Sequence, residues 1–145
     1  MTSFRFPLER VLAWRRTQLE MAEMLLRRKR DAVAEVDRAR AEIQAEAVRA
    51  ELQVRSQGRL EGRDLAALAE FRSHVGRVEG RLAARRAEAG REAEALQSAM
   101  LEARRRCRLL ERLRERRLEQ WTEARDREIE ELASESFLAR WTRRL

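Results

Sequence analysis

Gly58-Arg-Leu-Glu-Gly62-Arg-Asp64 is the one stretch of this chain that reads as a turn, and its reading decides the fold. Gly58 suits the position just past a helix end, and Asp64 suits the cap of the helix that follows. Upstream, apolar residues recur at alternating spacings of four and three, from Leu8 and Leu12 through Leu19, Leu26, Val33, Val36 and Ile43 to Val54. Arg15, Lys29 and Arg40 fall on the same series, where their stems lie along a seam while the charge reaches water. A sustained seven-residue repeat means a left-handed coiled coil. Downstream, a second series takes Leu68, Phe71, Val75, Val78 and Leu82, then Ala89, Leu96, Ala99, Ala103, Leu110 and Leu113. Arg85, Glu92 and Arg106 share that phase and weaken it. After Leu113 the phase slips, and Leu118, Trp121, Ile129 and Leu132 carry the apolar face. Pro7, the sole proline, opens the first turn with its φ preset. The expectation is an all-α chain, a single antiparallel two-helix coiled-coil hairpin over residues 1–145. Its parts are a helix over 7–57, a turn over 58–63 and a helix over 64–142, the last with an overhanging C-terminal segment.

Composition agrees. Of 145 residues, 32 are Arg, 23 Ala, 22 Glu and 19 Leu, all strong helix formers, while Asn and Tyr are absent and Ile occurs twice. Sheets are thereby starved of β-branched and aromatic residues. Charged residues make up 41%, yet the signs alternate, the net charge is only +7 and 43% of the chain is hydrophobic, which argues against disorder. The single Cys107 excludes an intramolecular disulfide and a cysteine-based zinc site. The opening residues hold no apolar signal region, and no apolar run approaches the length of a membrane span. A soluble, cytoplasmic protein with no direct membrane insertion is expected.

Helices of these lengths span roughly 75 Å and 115 Å, so residues past about 118 overhang the base of the hairpin. Trp121, Ile129, Leu132, Phe137, Leu138 and Trp141 then call for a partner, self-association or a fold-back. Catalysis needs groups converging in a pocket, which a two-helix hairpin does not provide. No enzyme, cofactor or metal site is expected. His74 stands alone, and neither phosphate-binding glycine fingerprint occurs. Gly76 and Gly80 read either as a small-residue packing motif or as a softened segment. Arg106 and Arg108 flank Cys107, a setting that lowers a thiol pKa, against the default of a partly buried small hydrophobe. The run Arg104–Arg117 holds eight Arg and two Glu, close to the whole net charge. It reads as a nucleic-acid helix, as a dock for an acidic protein surface, or as a solvated face. The absence of Asn and of a following leucine heptad weighs against the first.

The opening Phe4-Arg-Phe-Pro-Leu-Glu-Arg-Val-Leu12, followed by Arg15-Arg and a helix rich in Glu and Ala, resembles the N-terminus of FliJ proteins. So does Leu110-Glu-Arg-Leu-Arg-Glu-Arg-Arg-Leu-Glu-Gln-Trp121, followed by Glu128-Ile-Glu-Glu-Leu-Ala133 and a basic end. The resemblance covers essentially the whole chain. It implies a coiled-coil stalk of the flagellar type III export apparatus, similar to the γ subunit of rotary ATPases, cytoplasmic and peripheral to the inner membrane. The implied partners are the export ATPase hexamer and its regulator, the cytoplasmic domain of the export gate protein, and substrate-specific export chaperones. The family's gate-contact pattern falls here on Phe71, Val75, Val78 and Leu82, which are equally the seam near the turn. Leu8, Leu12, Arg112, Arg116, Trp121, Leu132 and Phe137 are the expected ATPase contacts at the other end. The equivalent stalk of an injectisome and a basic coiled-coil nucleic-acid binder are the competing functions.

Overall fold

The computed structural model describes residues 3–143. Two long helices pack against each other, α1 over Glu9–Ser56 and α2 over Gly62–Thr142, with no strand among the described residues. The ends differ from the sequence expectation by a few residues, for reasons of hydrogen bonding. Leu8 supplies the first helical carbonyl, accepting from the Leu12 N–H at 2.9 Å. The Glu9 N–H donates to the Phe6 carbonyl at 3.1 Å, so Pro7 sits in a turn ahead of the helix and not at its first position. Gly58 does not take the left-handed conformation of a helix-stopping glycine, since no described residue has positive φ. At the start of α2 the Asp64 and Leu65 N–H groups both donate to the Glu61 carbonyl, at 3.0 and 3.3 Å. The Asp64 carboxylate in turn accepts the Glu61 N–H at 3.2 Å. Glu61 is therefore the cap, and Asp64 is the third helical residue reaching back to it, which is half of a capping box.

The contacts divide the chain into two compact units. Met21–Met100 forms one, and residues up to Glu20 together with those from Leu101 form the other. In the first unit Lys29 pairs with Glu92, Asp37 with Arg86 at 3.2 Å and Glu51 with Arg72 at 2.9 Å. Partner numbers fall as α1 numbers rise, so the helices run antiparallel. Every α1 seam position in this unit is at least half-buried, and Leu26 is buried. The α2 seam follows the expected phase at Leu68, Phe71, Val75, Val78 and Leu82 and then changes. The next inward residue is Arg86 in place of Arg85, followed by Ala89, Ala93, Leu96 and Met100, while Glu92 and Ala99 are exposed. Val75 to Arg86 is an eleven-residue step inside a run of heptads, a stutter that locally unwinds the supercoil. The shift exchanges Glu92 and Ala99 for Ala93 and Met100 in the seam, and exchanges one Arg for another, Arg86, which Asp37 neutralises.

In the second unit Phe6, Leu12 and Cys107 form a small core, with Phe4, Leu19, Leu110 and Leu113 around it. Here too the inward residue is Cys107, and Arg106 is exposed. Glu9 pairs with Arg114 at 3.1 Å and Arg16 with Glu111 at 3.3 Å. From Asp126 onward every described residue of α2 is exposed, on all faces of the helix. Among the described residues no helix is long and apolar enough to cross a membrane.

Candidate interaction surfaces

In the segment before α1 the burial of the side chains alternates: Phe4 half-buried, Arg5 exposed, Phe6 buried. That alternation lays Phe4 against Trp121, with ring centroids 6.0 Å apart and planes tilted by 56°. Arg114 lies 5.8 Å from the Phe4 ring centre and Arg125 5.3 Å from that of Trp121, each a cation over an aromatic face. Phe4, Pro7, Leu8, Leu113, Arg117 and Trp121 line an open apolar groove at this place. Trp121 thus does not belong to a free overhang. The Phe-x-Phe alternation ahead of Pro7 is the sequence signal for this packing, and heptad spacing, which begins at Leu8, does not reach it.

The expected ATPase contacts do not form one surface. Leu12 has no exposure at all and is core, so it is unavailable for docking. Leu8 and Trp121 share the groove. Arg112 and Arg116 are exposed elsewhere on α2, while Leu132 and Phe137 are 53% and 64% exposed in its unpacked part. The expected gate contacts lie together on the α2 face turned to α1. Val75 is buried, Phe71 borders Ala50 and Val54, and Leu82 borders Val36. Gly76 and Gly80 are exposed with nothing within 4 Å of where a Cβ would stand, so they pack against nothing.

Cys107 is buried at 3% exposure, its Sγ 3.8 Å from Glu111 Oε1. Burial pushes its thiol pKa above the ordinary value and the Glu111 carboxylate pushes it further, with only a partial opposing pull from Arg16. The expected lowering by neighbouring arginines does not occur, because Arg106 turns outward to Glu102 at 3.0 Å. His74 is exposed, and no group of three metal-ligating side chains exists among the described residues. No family model, curated protein or solved structure matches the chain.

Proposed function

We propose that this chain is a non-catalytic component of a flagellar type III protein export apparatus, a FliJ-like stalk that engages an export ATPase ring. On this reading it also contacts the cytoplasmic domain of the gate and escorts export chaperones, working in the cytoplasm at the inner membrane. One observation supports it above the others. The two stretches that carry the resemblance, Phe4–Leu12 and Leu110–Trp121, are far apart in sequence yet meet in one groove. An apolar groove with Arg117 at its edge suits a partner helix or loop with an acidic flank. A stalk bound unequally to the subunits of a ring biases their states, and so raises turnover without catalytic groups of its own.

The test is stimulation of the hexameric export ATPase by the full chain. Trp121→Ala should weaken stimulation at every salt concentration, because it removes an aromatic anchor and not a charge. A chain that neither recovers the ATPase and its regulator in a pull-down nor changes its turnover would remove the reading. The exposed arginines favour nucleic acid as a second reading, which a DNA titration across salt concentrations decides.

A further inference from the structure

Cys107, Leu110, Arg114 and Trp121 mark the inward face of α2. At about 100° per residue, the opposite face presents Arg105, Arg108, Arg112 and Arg116, all exposed. The same line continues through Glu119, Glu123, Asp126 and Glu130, again all exposed. Four cations are followed by four anions on one stripe; Glu123 also meets Arg127 at 4.0 Å and Asp126 meets Arg125 at 3.2 Å, exposed pairs that hold their partners only weakly and exchange them at little cost. Leu101, 50% exposed, precedes the stripe, and Phe137 and Trp141, stacked with centroids 6.4 Å apart, follow it. The surrounding sequence has the same polarity, since residues 119–135 hold seven acidic side chains against two Arg.

The two halves do not neutralise each other within one chain. α2 is continuous to Thr142, so beyond the adjacent turns at Arg116 and Glu119 both halves face the same way from one helix. A second copy laid antiparallel along the stripe meets both at once. We propose that this chain forms a two-fold homodimer through this stripe. With the axis between Arg117 and Leu118, Arg116 faces Glu119, Arg112 faces Glu123 and Arg105 faces Glu130, while Arg108 comes beside Asp126. The two-fold repeats each pairing. Leu101 of one copy then comes within about one turn of Phe137 of the other. A parallel pairing sets Arg against Arg and is repelled. Exposed ion pairs are individually weak and screened by salt, so the charges fix the register and the apolar ends hold the pair.

The surface is independent of the export reading, and its test needs no other protein. Sedimentation of the full chain should show a dimer at about 0.05 M salt, with the dissociation constant rising roughly tenfold or more at about 0.5 M. Arg112→Glu with Arg116→Glu should give a folded monomer, because four Glu then face four Glu. Glu119→Arg with Glu123→Arg should do the same with the sign reversed. Mixing the two variants restores every Glu–Arg pairing and should restore the dimer, with circular dichroism confirming that each is helical throughout. A wild-type monomer at low salt, charge-reversed variants that still dimerise, or a mixture that stays monomeric would each overturn the proposal.

Discussion

Cys107 shows how far one residue's chemistry depends on which way a helix turns. Its neighbours in sequence are arginines, but its neighbours in space are Phe6, Leu12 and Glu111. The thiol has a folded pKa above its unfolded value, so the neutral form is favoured by folding and the resulting stability is present below the unfolded pKa. That stability is lost as pH rises through the folded pKa, on the alkaline side of the ordinary thiol value of 9.0. Only the thiolate reacts, so alkylation at mildly alkaline pH should be at least about tenfold slower in the native protein than in denaturant. Equal rates would mean that the site is open. The Phe4–Trp121 contact makes a second prediction at this scale. In a double-mutant cycle, Phe4→Ala and Trp121→Ala should couple by about 0.5–1.5 kcal/mol in thermal or urea unfolding. Strict additivity would mean that the rings do not meet in solution.

At the scale of the element, the seam of α2 is governed by its stutter. Gly76 and Gly80 lie on exposed turns beside it, and neither position is crowded. Replacing each by Ala should stabilise the protein by about 0.8–1 kcal/mol through helix propensity alone, read as a rise in Tm. No change on substitution would mean that the segment is not helical in solution. On α1 the seam residue Arg40 buries its Nε without a hydrogen-bond partner. Arg40→Leu should therefore stabilise by about 1–3 kcal/mol, whereas a loss of stability would show that its guanidinium has found partners. Phe71 tests the gate proposal at the same scale. Its side chain lies on the inward face, so Phe71→Ala should lower Tm, and reduced gate binding counts only if it persists in the folded fraction.

For the whole molecule, the helix splits at Asp126 into a packed part and an exposed part, and truncation separates their roles. Removing residues 126–145 leaves Phe4, Leu12, Cys107 and Trp121 in place, so the chain should retain the unfolding transition of its packed portion. If the exposed segment is the ATPase dock, that truncation abolishes stimulation. If the groove is the dock, stimulation survives it and is lost with Trp121→Ala. A cut at residue 118 removes both Trp121 and the exposed segment and would not distinguish them.

The sequence by itself determined that the chain is all helix, that it turns once near Gly58 and that α1 presents a continuous heptad seam. These are local matters of propensity and period, written in Arg, Glu, Ala and Leu and in the spacing from Leu8 to Val54. It also placed the whole gate-like set on one face, since heptad spacing fixes direction over a few turns. Tertiary packing alone decided which residues of α2 turn inward beyond Leu82. Two phases one residue apart were nearly equal locally, and the choice fell to the one that buries Ala93, Met100 and Cys107 against α1. It also decided where the first residues go, because Phe4 and Phe6 find an apolar surface only when Leu113 and Trp121 are brought beside them from the far end of the sequence.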